Sequence, residues 1–156
     1  MWPPDAGASC RAASVPVDDE IARRAAALFA RLGWFGLAQL QFLVPADGVP
    51  RLIDLNGRFY GSLALAVKAG ANLPAVWAAL ATDRGLDAVP TRPLRAGVRY
   101  SWLEGDIRRA LAEQRGGRFR DVAGALYAGV GAAHSVAKLS DPGPALAATR
   151  RLIASR

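Results

Sequence analysis

Apolar and polar positions alternate along this chain with two periods, and the switches between them mark out its elements. Residues 1–15 are rich in Pro, Ala, Gly and Ser and read as an irregular lead-in. "VDDEIARRAAALFARLG" follows, with Ile21, Ala25, Leu28 and Leu32 at helical spacing, Asp18 as N-cap and Gly33 as the stop. "WFGLAQLQFLV" changes to a period of two, "PADGVP" holds an Asp-Gly turn signal, and "RLIDLN" returns as the second strand of a hairpin. "GSLALAVKAG" reads as a short helix from Ser62 to Gly70, and "NLPAVWAALATDRG" as a second, capped by Asn72 with Pro74 in its first turn. A Pro-bearing connector spans residues 86–96. "AGVRYSWLE" then predicts a strand, "GDIRRALAEQRGG" a helix, "AAHSVAKLS" a strand and "DPGPALAATRRLIASR" a closing helix. This order predicts an α+β or mixed α/β layer, and the expectation taken forward is α+β: an antiparallel sheet built around a β-hairpin, with flanking helices.

The hairpin concentrates the chemistry. With Asp47 and Gly48 as the two central turn residues, Gln41 falls opposite Asp54, Gln39 opposite Asn56, Leu40 opposite Leu55 and Phe42 opposite Ile53. One face then carries Gln39, Gln41, Asp54 and Asn56, and the other is an apolar core face. Facing side chains lie about 5 Å apart at Cβ, so Gln41, Asp54 and Asn56 can converge on one small ion. All three offer oxygen, which hard cations such as Mg²⁺ prefer. One carboxylate and two amides hold such an ion weakly unless phosphate completes the shell. Arg58 joins this face if the strand continues, and with the helix start at Gly61-Ser62 it could hold an anion. The plainer reading is the wet side of an antiparallel hairpin, with Arg58 a surface arginine and Ser62 an ordinary cap. Against it stands the composition of the face, which lacks the Lys, Glu, Thr and Arg of an ordinary solvated strand.

Composition narrows the classes. At 156 residues, 52% hydrophobic and 21% charged, the chain is expected to fold as one domain with a sizeable core. No apolar run is long enough to span a bilayer, and "MWPPDAGAS" lacks the basic-then-apolar pattern of a secretory signal. The lone Cys10 cannot form an internal disulfide, which fits a reducing, cytoplasmic setting. The net charge of +7 comes almost wholly from Arg, since Lys68 and Lys138 are the only lysines. Such a charge suits a polyanion. Yet the pairs Arg23-Arg24, Arg108-Arg109 and Arg150-Arg151 sit in helical patterns without interleaved aromatics, so solvated helix faces are expected rather than a nucleic-acid surface.

"GLAQLQFLV" followed by "RLIDLNGRFYGSLALAVKAGANLP" resembles the C-terminal part of ATP-grasp enzymes, in particular their carbamoyl-phosphate synthase-like, carboxylate–amine ligase branch. The pattern there is a strand with an acid or Gln, a hairpin, and a Glu-x-Asn-x-Arg strand leading to a helix. "WLEGDIRRAL" and "LSDPGPAL" also look like tail features of one ATP-grasp subgroup. The resemblance implies a partial C-terminal lobe with a tail subdomain over residues 16–156. It implies Gln41, Asp54 and Asn56 as ligands of Mg²⁺ (or Mn²⁺) bridging the ATP phosphates. Asn56 and Arg58 would contact the nucleotide, and Arg58 would also hold the phosphorylated intermediate or substrate.

Two departures matter. Asp54 stands where Glu is usual and reaches one methylene less. The Gly-rich lid hairpin and the nucleotide-contacting lysines of the family have no counterpart here. The resemblance therefore implies the Mg-binding part of a ligase that activates a carboxylate as an acyl phosphate for attack by an amine. A second copy or a separate N-terminal lobe chain would complete it, and Trp2, Trp34 and Phe35 are candidates for the covered surface. The alternative is an inactive remnant acting at most as an interaction module.

Overall fold

The computed structural model describes residues 8–90, 92–136, 138 and 140–154. Its central sheet has three strands. β1 (Arg11–Ala13) pairs antiparallel with β4 (Arg99–Ser101), and β4 runs parallel to β5 (Ala133–His134). The expected hairpin, β2 (Gln39–Leu43) with β3 (Arg51–Asn56), stands apart as a two-stranded sheet. The α+β class holds, but one antiparallel sheet around the hairpin does not. Parallel strands need a crossover, and α4 (Leu103–Glu113) with α5 (Arg118–Gly129) supplies it between β4 and β5. α5 has no clear signal in the sequence, because Gly, Arg and Ala blur its period.

β1 lies inside the stretch expected to be irregular. Its backbone is zipped to the β4 segment at both ends, by Ser14 N–H to the Val98 carbonyl at 2.9 Å and Trp102 N–H to the Cys10 carbonyl at 2.8 Å. The buried side chains here are small: Ala110, Ala125, Ala132 and Ala133, with Cys10 and Tyr100. Small residues let α4 and α5 approach the sheet closely. Among them sits Asp106, whose side chain is fully buried. Arg11 Nε donates to Asp106 Oδ2 at 2.5 Å, and Arg109 Nη2 to Oδ1 at 2.7 Å. A buried carboxylate is tolerated only when paired in this way, and the same bond raises the Arg109 guanidinium above its ordinary range.

The remaining helices follow the sequence closely. α1 (Asp19–Leu32) is capped by the Asp18 carboxylate, which accepts from Ile21 N–H, and ends at Gly33 in the left-handed conformation. It has no buried residue, so its Ile21 and Leu28 stripe is only half covered. α2 (Leu63–Ala69) and α3 (Leu73–Ala81) meet at 97°. Gly70 makes that corner: its φ is 113°, and a Cβ there would lie 2.7 Å from the Pro93 carbonyl oxygen. α6 (Gly143–Ala154) closes the chain as expected. No single helix among the described residues is long and apolar enough to cross a membrane.

Two outcomes follow from this core. Asp106→Ala strands Arg11 and Arg109 and should lower stability by about 2–3 kcal/mol, read as a lower urea midpoint. Cys10 is buried, and that burial, with the Asp106 carboxylate adding to it, pushes its thiol up from its ordinary value. Its thiolate fraction at pH 8 is therefore reduced, and iodoacetamide should label the native chain more slowly than the urea-unfolded chain.

Candidate functional site

The hairpin register places the polar face as the sequence predicts, by a route the sequence did not show. Gln41 lies opposite Asp54, Leu40 opposite Leu55 and Gln39 opposite Asn56. The turn, however, is centred on Ala46 and Asp47, with Gly48 N–H bonded to the Pro45 carbonyl at 2.9 Å. Gly48 takes the positive φ of 75° that follows such a turn. Asp47 fixes the loop by accepting from Val49 N–H at 3.0 Å and pairing with Arg51 at 2.7 Å. This turn displaces the pairs nearest the loop, so that Leu43 meets Arg51 and Phe42 meets Leu52. A β-bulge then leaves Ile53 unpaired and restores the expected register from Gln41 onward. Phe42 opposite Ile53 is thus corrected, and so is the apolar core face. Leu40 and Leu55 are half-buried, whereas Phe42 and Ile53 are exposed at 38% and 60%.

On the polar face the side chains of Asp54 and Asn56 touch. Asn56 Nδ2 donates to Asp54 Oδ2 at 2.5 Å. Asp54 is exposed and has no basic partner among the described residues. Gln41 and Asn56 are half-buried beside it. Carboxylate and amide oxygens on neighbouring positions of one rigid face are a donor set for a hard cation. Turning the Asn56 amide about its last torsion presents Oδ1 in place of Nδ2, so the residues fit an ion once it competes for Asp54. Among the described residues no group of three or more His, Cys, Asp or Glu could hold a metal, which leaves the mixed carboxylate–amide face as the candidate.

Arg58 is not on that face. β3 ends at Asn56, Gly57 and Arg58 form a bend, and the exposed Arg58 donates only to the Phe59 carbonyl, at 3.1 Å. It stands on the loop that leaves the face, with no acid partner among the described residues. The helix start expected to help it is also altered. Ser62 makes no side-chain cap, Leu63 N–H is taken by the Tyr60 carbonyl, and α2 is only seven residues long. Two contacts fix the loop's course. Trp34 covers Gly57, where a Cβ would lie 2.3 Å from the indole, and the Tyr100 hydroxyl donates to the Gly61 carbonyl at 3.1 Å. Burial raises the neighbouring Tyr60 phenol above its ordinary range.

Of the aromatics expected on a covered surface, Trp34 and Phe35 are exposed, though Phe35 meets Trp77 with ring centroids 6.1 Å apart. Trp2 lies outside the described residues. Sequence reasoning missed Asp106, which looks like any acid in a helix's first turn, and Lys68, Ser101 and His134, which lie on the adjoining α2, β4 and β5. β5 spans only two residues, too few to show a period.

Gly57→Ala should clash with the Trp34 indole. The expected result is a loss of about 1–3 kcal/mol with a changed tryptophan emission, and an unchanged urea midpoint would show that the loop yields without cost.

Comparison with known proteins gives one match. A model of the family described as "ATP-grasp in the biosynthetic pathway with Ter operon" covers residues 7–106, more than half of the chain. Searches of curated proteins and of solved structures returned no match. The matched stretch runs from β1 through the hairpin, α2, α3 and β4 to the buried Asp106. With the hairpin motif and the family match in agreement, this chain belongs to the ATP-grasp family.

Proposed function

We propose that this chain supplies the metal-binding part of an ATP-dependent ligase of the carboxylate–amine type, working on a small carboxylic acid and an amine. The observation that carries the reading is the register that sets Gln41 opposite Asp54, with Asn56 in contact with Asp54. Mg²⁺ or Mn²⁺ bound there would supply neutralising charge for the phosphates of ATP. The chain's own residues do the rest. Asp54 contributes the formal charge. Gln41 and Asn56 complete an oxygen face without adding like charges that would repel the triphosphate. Arg58, unpaired on its loop, brings a planar fork to a phosphoryl oxygen or to the carboxylate being activated. Trp34 and Tyr100 hold that loop at Gly57 and Gly61, so that Arg58 starts from a fixed base.

In this reading the carboxylate oxygen attacks the γ-phosphorus, ADP leaves, and the acyl phosphate is then attacked by the amine with release of phosphate. Positioning and charge provide most of the rate in such a transfer. The nucleotide-gripping lobe that the ligase reading requires would come from another segment or chain, and the exposed Phe42, Leu43, Val44, Leu52 and Ile53 at the loop end of the hairpin give it apolar surface to cover. The cytoplasm, where Mg-ATP is abundant and Cys10 stays reduced, suits this activity.

Calorimetry with Mg-ATP tests the reading. Binding should disappear with EDTA and weaken about tenfold, or 1.4 kcal/mol, in Asp54→Ala and in Asn56→Ala. No heat from Mg-ATP, or equal affinity in both variants, would instead leave a fold that has kept the hairpin and lost the ligand.

A further inference from the structure

A cleft of about 1470 Å³ lies between α2, the end of α5 and β5, and none of Gln41, Asp54, Asn56 and Arg58 lines it. Its walls include Leu63 and Val67 from α2, Leu103 from α4 and Leu126 from α5. Val67 and Leu126 are exposed to it at 42% and 51%. Lys68 and His134 stand among these apolar groups. At the rim, Lys138 and Asp141 are joined by a backbone bridge.

Lys68 Nζ lies 2.7 Å from the Gly131 carbonyl and 3.0 Å from the Ala132 carbonyl. An ammonium has three donors, so one remains, and no carboxylate pairs with Lys68 among the described residues. A cation held in place by two carbonyls, with a spare N–H beside apolar walls, is a ready partner for an anionic group.

His134, in the cleft wall, carries a second, independent signal. Ser101 and His134 face each other across the parallel β4–β5 pair. Ser101 Oγ and His134 Nδ1 are both buried without a hydrogen-bond partner, and Ser101 is fully buried. Gly129 packs closely against both, since a Cβ there would sit 3.3 Å from His134 Cε1 and 3.8 Å from Ser101 Oγ. An unmade buried hydrogen bond costs about 1–3 kcal/mol, which a polar group or water carried in by a ligand recovers.

We infer that this cleft binds a small amphipathic carboxylate. The acid pairs with the third N–H of Lys68, and the apolar body lies against Leu63, Val67, Leu103 and Leu126. Its buried end approaches His134. The volume exceeds the roughly 300–1,000 Å³ of drug-sized sites, so a two-ring body fits. A protein segment lying over the cleft would cover the apolar walls, yet it would give no reason for the unpartnered His134 Nδ1 in one of them. The inference does not rest on the metal reading, and its test contains no nucleotide, so either can fail alone.

The probe is 2-naphthoate, with neutral 2-naphthalenemethanol as control. His134 is the chain's only histidine, so its imidazole Hε1 signal in the NMR spectrum is assigned without ambiguity. Saturable binding of naphthoate with a ring-current shift of that signal is expected. Lys68→Met should weaken naphthoate at least tenfold and the alcohol less than twofold, with Lys68→Arg retaining most of the affinity. Leu126→Asp, at an exposed position, should expel naphthoate to a similar degree without disturbing the fold. A histidine signal unmoved at saturation overturns the inference. So does equal loss of acid and alcohol in Lys68→Met, undiminished binding in Leu126→Asp, or no saturation at millimolar concentration.

Discussion

Asp106 is the constraint on which the arrangement depends. Its carboxylate is fully buried and bonded to Arg11, 95 residues earlier, and to Arg109 one helical turn later. By fixing β1 against the first turn of α4 it sets β4, whose strand leads directly into that helix. From β4 the Tyr100 hydroxyl reaches the Gly61 carbonyl, and so determines where the loop leaving the hairpin must run. A single desolvated charge thus links the small-residue core to the loop that carries Arg58. Loss of that pairing would be felt at the candidate site without any change to a residue in it.

The hairpin shows how a correct register can be read from an incomplete account of the turn. The sequence suggested Asp47-Gly48 as the turn centre, whereas the structure uses Ala46-Asp47 with Gly48 following. The pairs next to the loop, Leu43 with Arg51 and Phe42 with Leu52, are offset by one residue, and that offset carried further would have set Gln41 opposite Ile53 and reversed the faces. Ile53 bulges out and cancels it, so Gln41 still meets Asp54. Period-two reasoning could find the polar face because side-chain alternation survives on the far side of a bulge. It could not find the bulge, since nothing in "RLIDLN" distinguishes Ile53 from its neighbours. Arg58 was misplaced for a related reason: the strand stops at Asn56 because Trp34 occupies the space over Gly57, a contact between residues 23 positions apart.

Helices with clear caps were legible. Asp18, Gly33, Asn72 and Gly70 all act as their chemistry predicts, because each cap is a local interaction. The three-stranded sheet was not, since β1, β4 and β5 have three, three and two residues and are held by partners distant in sequence. β1 forms from Arg-Ala-Ala only because Ser14 and Cys10 bond across to the β4 segment. The Ser101–His134 juxtaposition depends on that sheet, and so lay beyond reach of any local pattern.

The arginine excess bears on the choice among functions. Arg11, Arg23, Arg24, Arg51, Arg108, Arg109 and Arg115 all pair with acids, while Arg95 and Arg99 donate to the Lys68 and Val130 carbonyls. Much of the positive charge is therefore spent on tying the fold together instead of forming an open polyanion surface. In a chain with twenty basic and thirteen acidic residues, Asp54 keeps an amide for its partner while Arg58 keeps only its neighbour's carbonyl. These two lie four positions apart and do not pair with each other. A carboxylate left for a cation and a guanidinium left for an anion, side by side, is the charge pattern that a metal–phosphate complex would neutralise from both sides.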